Sequence, residues 1–152
     1  MKKIVLLIFI IQFYSPTSAQ INSDFSINFN HVALSVKNLD QSAEFYTNTL
    51  NLKEITNKTK KASRRWFSLG EGKELHLISD YKGEVTVTKA VHMALTTSNF
   101  DAFIKKLQSM QIKYYDWPGN LDVISIRADG IRQVFFQDPN GYWIEVNSVG
   151  EN

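Results

Sequence analysis

Apolar and polar residues alternate over 29–36, and this period of two predicts a strand with one face on a hydrophobic core. His31 falls on the face opposite the aliphatic side chains. The pattern recurs 61 residues later at 91–96, where His92 takes the place of His31. A fixed internal period indicates a duplicated structural unit, so the two halves of the chain are interpreted together.

A helix is predicted after each of these strands. Asn38 or Asp40 can cap the first helix by accepting hydrogen bonds from its free backbone amides, and this helix runs to about Leu50. The apolar residues of the second helix follow the i, i+3, i+4, i+7 spacing of an amphipathic helix, at Phe100, Phe103, Ile104, Leu107 and Met110. These side chains are predicted to lie in the core.

Three more strands are predicted after the first helix, at 53–59, 65–69 and 74–79. The second half has strands at 112–115, 131–137 and 142–147, and a strand-like stretch at 123–127. Each half therefore has the order strand, helix, three strands. We predict an α+β fold in which one domain, 27–148, consists of two βαβββ modules, 27–79 and 90–148, joined by a linker at 80–89.

Residues 1–19 have the features of a secretory signal peptide. Two lysines precede a short apolar run at 4–11, and small residues at 15–19 provide a cleavage site after Ala19. The alternative is an uncleaved N-terminal anchor. Cleavage would leave a flexible leader at 20–26 and a secreted or periplasmic protein with no membrane attachment.

Charge and cysteine content exclude several classes of function. Loss of Lys2 and Lys3 leaves 15 of the 17 basic residues against 15 acidic ones, so the mature chain is close to neutral. Nucleic acid is not expected as a partner, because binding it requires a basic face. The chain has no cysteine, which excludes disulfides, thiolate metal ligands and cysteine nucleophiles.

The candidate chemistry lies on the polar faces of the predicted strands. His31, His76, His92 and Glu145 each sit in the middle of a strand, opposite the aliphatic residues. The repeat pairs His31 with His92 and His76 with Glu145, so the four side chains converge if the modules pack about a pseudo-twofold axis. Three imidazoles and a carboxylate can bind Zn, Fe, Ni, Mn or Co as divalent ions. The alternative is four solvent-facing residues on open sheets.

Other residues share this face. Glu74 has the same parity as His76 and could replace it as a ligand. Trp66, Phe135 and Trp143 also have this parity and are predicted to line a substrate pocket, with ordinary sheet packing as the alternative.

Four segments carry a family resemblance: the strands 31–35, 74–78 and 92–96, and the ending 136–145, which contains Asp-Pro-Asn-Gly-Tyr and finishes at Glu145. They resemble the vicinal oxygen chelate superfamily, which includes glyoxalase I, extradiol dioxygenases, fosfomycin-resistance transferases and bleomycin-binding proteins. The resemblance implies paired βαβββ modules whose curled mixed sheets enclose a metal-binding cavity. It also implies a small-molecule substrate and a possible homodimer that builds the cavity from two chains.

The resemblance assigns roles to residues. It implies that His31, His92 and Glu145 bind a divalent metal ion, with His76 or Glu74 as a fourth ligand. With four ligands a glyoxalase-like lyase or isomerase is expected, in which Glu145 or Glu74 transfers protons. With three ligands and iron, an extradiol dioxygenase is the alternative. A non-catalytic binding protein of the resistance type is the third possibility.

Overall fold

The computed structural model of the protein describes residues 25–151, so the predicted signal peptide at 1–19 and residues 20–24 of the predicted leader lie outside the described residues. The first module contains β1 (His31–Ser35), α1 (Leu39–Leu50), β2 (Glu54–Ile55), β3 (Arg64–Gly70) and β4 (Lys73–Ile78). The second contains β5 (His92–Thr96), α2 (Phe100–Ser109), β6 (Ser125–Ile126), β7 (Arg132–Gln137) and β8 (Trp143–Asn147). Neither helix is long and apolar enough to cross a membrane.

Each module forms its own four-stranded mixed sheet. The strand orders are β1-β4-β3-β2 and β5-β8-β7-β6. In both sheets the first and last strands of the module pair in parallel, β1 with β4 and β5 with β8, and the remaining pairs are antiparallel. The predicted α+β fold of two βαβββ modules in tandem is confirmed. Strands β1 and β5 each lie at an edge of their sheet.

Two of the predicted strands are shorter in the structure, and a third is absent. The segment 53–59 pairs only at Glu54–Ile55, and 123–127 pairs only at Ser125–Ile126. The predicted strand at 112–115 is wrong, because only Tyr115 forms bridges, with Leu121 and with Phe135. The chain reverses immediately after Tyr115, since the Asp116 carbonyl accepts a hydrogen bond from Gly119 N at 3.2 Å. The segment 112–115 is therefore too short to form a continuous strand with a neighbour.

Asparagine side chains start both helices at equivalent positions. Asn38 accepts a hydrogen bond from Gln41 N, and Asn99 accepts one from Ala102 N. These caps satisfy backbone amides that have no partner inside the helix. Asn51 ends α1 in the left-handed region, at φ 54°.

The aliphatic faces of both sheets and the apolar faces of both helices form one hydrophobic core. Its fully buried members include Tyr46, Phe67, Leu75, Leu77, Phe100, Leu107, Val134, Phe136 and Ile144. Phe45 of α1 packs against Phe136 of β7 with 6.3 Å between ring centroids, so the core is continuous between the modules. The strand faces that carry the predicted ligands are turned away from this core.

The turn between β7 and β8, residues 138–141, fastens the second module to the first. The buried Asp138 carboxylate accepts a hydrogen bond from the Tyr46 hydroxyl at 3.0 Å. Asn140 Nδ2 donates to Ser42 Oγ at 2.8 Å, and Asn140 Oδ1 accepts from Lys37 N at 2.8 Å. These side chains make the turn a structural link, which we call the inter-module turn.

Candidate metal centre and substrate site

The predicted site residues lie on the expected strand faces, but within one chain they form two groups. The first group, on the outer face of the first sheet, is His31, Glu74 and His76. The second group, on the outer face of the second sheet, is His92 and Glu145. Among residues 25–151 there is no cluster of three or more His, Asp or Glu side chains that could hold a metal ion.

In the first group, His76 contacts three neighbouring side chains. Its Nε2 lies 2.7 Å from Glu74 Oε2, and its ring stacks on Trp66 with centroids 4.0 Å apart and on His31 with centroids 4.3 Å apart. His31 Nδ1 lies 2.7 Å from Asn30 Oδ1. An amide oxygen only accepts, so Nδ1 donates and His31 Nε2 keeps its lone pair for a ligand. Whether His76 or Glu74 is the fourth ligand stays a prediction, since the two bond to each other.

In the second group, both donor atoms are oriented by neighbours. His92 Nδ1 donates to the Lys89 carbonyl oxygen at 2.9 Å, which leaves the lone pair of Nε2 free. Glu145 is 7% exposed, and its Oε1 accepts from Asn147 Nδ2 at 2.7 Å. The free atoms, His92 Nε2 and Glu145 Oε2, are 3.3 Å apart.

The second group provides two of the ligands that a metal site needs. Two ligand atoms bound to one Zn²⁺ at about 2.0–2.1 Å with tetrahedral angles are roughly 3.3–3.4 Å apart. A divalent cation between two lone-pair donors at this separation would be stabilised by both of them. The pair therefore fits two ligands of a divalent ion, and a complete set requires donors from another group.

The predicted pocket residues also lie beside the histidines of their own module. Trp66 stacks on His76, as described above. Phe135 is 1% exposed and meets the His92 ring edge-on, at 5.3 Å between centroids. Trp143 lines a cleft of about 1150 Å³ between the free edges of β1 and β5, and His92 is part of the same lining. Neither His31, Glu74 nor His76 lines that cleft.

Sequence reasoning missed three residues of the second group's surroundings, Asn147, Lys89 and Trp117. The strand parity of Asn147, two residues after Glu145, could have identified it as a support. Lys89 lies in the linker three residues before His92, and Trp117 lies in an irregular turn, so neither has a periodic signal. The Trp117 ring stands 6.2 Å from the His92 ring, measured between centroids. Partial burial lowers the pKa of Lys89, and Asp116 partly opposes this effect.

Comparisons with known proteins agree with this architecture. Residues 28–146 match the model of the Glyoxalase/Bleomycin resistance protein/Dioxygenase superfamily. No curated protein matches the chain. Among solved structures, Oxidase ChaP-H2 is similar with a TM-score of 0.68 and 21% identity, over 84% of this chain and 98% of that protein.

Two further structures show the same fold. A glyoxalase family protein from Bacillus anthracis has a TM-score of 0.67 and 22% identity, over 83% of this chain and 98% of its own. Lactoylglutathione lyase from Agrobacterium tumefaciens has a TM-score of 0.61 and 18% identity, over 80% of this chain and 92% of its own. With most of its length matched by the family model and with two βαβββ modules in tandem, the chain belongs to the Glyoxalase/Bleomycin resistance protein/Dioxygenase superfamily.

Proposed function

We propose that the protein is an exported, divalent-metal-dependent lyase or isomerase that acts on a small substrate with two adjacent oxygen atoms. The observation that carries this proposal is the pair of His92 and Glu145, whose ligand atoms are 3.3 Å apart and each oriented by a further hydrogen bond. Such second-layer partners are typical of metal ligands, because they fix the tautomer and direction of the donor. The family match supports this proposal only in part, because the superfamily contains glyoxalases and dioxygenases as well as bleomycin resistance proteins.

We further propose that the metal site is assembled between two chains of a homodimer. The two groups lie on outer faces turned away from the shared core, and neither has three donors free to bind one ion. A twofold axis that brings the first group of one chain to the second group of the other creates two equivalent sites at once. The outer faces leave apolar surface for such a contact: Phe29, which has the same strand parity as His31, is 61% exposed.

In this assembly each residue has a distinct task. His31 of one chain and His92 with Glu145 of the other would hold the ion, with His76 or Glu74 as the fourth ligand. When bound, a divalent ion supplies Lewis-acid stabilisation of negative charge on two adjacent substrate oxygens. Glu145 or Glu74 would accept a proton from the substrate as a general base, and the bond to His76 keeps the Glu74 carboxylate in place. Trp66, Phe135 and Trp143 enclose the substrate and exclude water.

Metal analysis of the mature protein tests both parts of the proposal. Wild type is expected to bind about one divalent ion per chain, and His31→Ala or His92→Ala is expected to bind less than a tenth of that. A co-expressed mixed dimer of the two variants is the decisive measurement, because one of its two sites has both histidines and the other has neither. Recovery of about one ion per mixed dimer supports the shared site. No recovery would show that the ligands belong to one chain.

A dioxygenase is the second candidate, and the first group favours it. Because His76 is bonded to Glu74, the free donors reduce to His31, His92 and Glu145, and two histidines with one carboxylate are typical of non-haem Fe(II) oxygenases. One of the similar structures is named an oxidase. Oxygen uptake with catechols after anaerobic iron loading would identify this activity. Absence of uptake would remove it, and ligand binding unaffected by metal would indicate a pure binding protein.

The proposed export is tested independently. Expression of the full chain with its own N-terminus should yield a mature protein that begins at Gln20, determined by mass spectrometry of the periplasmic or medium fraction. A chain that retains residues 1–19 in the membrane fraction would instead indicate an anchor.

A further inference from the structure

Lys89 places a positive charge on the same face as the second group. Its Nζ lies 4.9 Å from the centroid of the Trp143 ring, 5.1 Å from Phe135 and 5.9 Å from Trp117. The His92 ring packs against Phe135 and Trp117 as well. Lysine and histidine therefore share two walls of one aromatic enclosure, beside the predicted metal ligands.

The ammonium group in this enclosure has no carboxylate partner. Among residues 25–151 no Asp or Glu oxygen lies within 4.0 Å of Lys89 Nζ. Nζ donates instead to two backbone carbonyls, those of Asp116 and Trp117. An ammonium has three N–H donors, so one remains for a further acceptor.

The acidic side chain that acts on the Lys89 charge is Asp116, and it already has other hydrogen-bond partners. The Asp116 carboxylate accepts from Gly119 N at 2.8 Å, from Asn120 N at 2.7 Å and from Asn120 Nδ2 at 2.7 Å. These bonds hold the turn that carries Trp117. A half-buried charge that is not paired within the chain is costly, and an external anion would relieve that cost.

We propose that Lys89 selects the substrate by binding a carboxylate on it, so that the substrate is a small, flat carboxylic acid with two adjacent oxygens. The flat shape follows from the aromatic walls, against which a planar or ring-shaped molecule packs best. The two adjacent oxygens rest on the proposed function, whereas the carboxylate contact does not. A hydrogen bond between an ammonium and a carboxylate is charge-assisted, and it discriminates strongly against a neutral amide.

Calorimetry with 3,4-dihydroxybenzoate and its neutral amide, 3,4-dihydroxybenzamide, tests this inference. Wild type is expected to bind the acid at least about tenfold more tightly, because a hydrogen bond to a charged group is worth more than 1.4 kcal/mol. Lys89→Met should bring the two affinities within about twofold, and Lys89→Arg should keep the preference. Lys105→Met, an exposed lysine on α2, is the matched control and should also keep it. A lysine that only fastened the turn would change both affinities equally.

Measurement on metal-free and zinc-loaded protein separates the two proposals. A preference for the acid in both forms, without any gain from zinc, retains the role of Lys89 and refutes a zinc ion that binds the two adjacent oxygens. An equal affinity for acid and amide in wild type, a preference that survives Lys89→Met, or no binding of either probe would overturn the role of Lys89.

If Lys89→Met fails to fold, nuclear magnetic resonance of wild type decides. The acid should shift the indole N–H signals of Trp117 and Trp143 at concentrations where the amide does not. An equal response to both probes would overturn the inference.

Discussion

Replacing Tyr46 with phenylalanine removes one oxygen atom from the contact between the modules. The Tyr46 side chain is fully buried, and its hydroxyl donates to Asp138 Oδ2 at 3.0 Å. The other oxygen, Oδ1, accepts from Asn140 N at 2.8 Å and from Tyr142 N at 2.9 Å, so it is unaffected. Without the hydroxyl, Oδ2 keeps only a contact of 3.4 Å with Asn140 Nδ2.

The expected cost follows from this loss. A hydrogen bond to a charged group contributes about 1.5–3 kcal/mol, and Asp138 is only 6% exposed, so little water can replace the donor. We expect Tyr46→Phe to lower the free energy of unfolding by about 2 kcal/mol. With an m-value near 2 kcal/mol per molar urea, the midpoint of urea unfolding should fall by roughly 1 M.

Urea unfolding followed by circular dichroism measures this change. Tyr81→Phe is the control, because Tyr81 is 56% exposed and its substitution should stay within about 0.5 kcal/mol. A double-mutant cycle with Asp138→Asn should give a coupling energy of about 1 kcal/mol or more. A change below about 0.5 kcal/mol for Tyr46→Phe, or additive effects in the cycle, would refute the view that this bond fastens the modules.

Three further predictions concern the site and the inter-module turn. Asn147→Ala should weaken metal binding about 10–100-fold without unfolding the protein, because Glu145 loses the donor that orients it. Competition with a coloured chelator measures the metal affinity, and an unchanged affinity would contradict this prediction. Gly141→Ala should cost about 1–2 kcal/mol in urea unfolding, since Gly141 has φ +89° and an added Cβ would meet Val87 Cγ2 at 3.4 Å; a neutral result would show that the turn relaxes. Burial, with a further contribution from Asp138, raises the pKa of Tyr46 above its unfolded value, so its stabilising effect is complete below about pH 10 and declines as pH rises further. The free energy of unfolding, measured from pH 9 to 11, should therefore fall less steeply with pH in Tyr46→Phe than in wild type. Identical slopes would contradict the raised pKa of Tyr46.

The repeat and the strand parity were enough to predict most of the fold and the strand faces of the candidate site. A period of two determines which side chains share a face, and the periods were long enough at 31–35, 73–78, 92–96 and 143–147 to place every predicted ligand on the outer face of its sheet. Residues 111–130 were predicted less well. Their structure depends on turns and single bridges, which leave no periodic pattern.

How the two groups relate to each other could not be predicted from local patterns. Parity shows that His31 and His92 face away from the core within their own sheets. It does not show that the sheets share one core, because that depends on contacts between distant residues such as Phe45 and Phe136. The position of Lys89 likewise depends on how the turn at 116–120 folds over the second sheet. Side-chain direction was therefore predictable, and the docking of one module on the other was not.

Among residues 25–151 of one chain the two groups form no common cluster, and this affects how activity depends on protein concentration. On the proposed assembly, a lone chain holds no complete site, so activity per chain rises with protein concentration until dimers predominate. Dilution after export would then dissociate the dimers and lower the activity by mass action, without an inhibitor. Ligands contributed by both chains would oppose this effect, since an ion bound between them also holds the chains together.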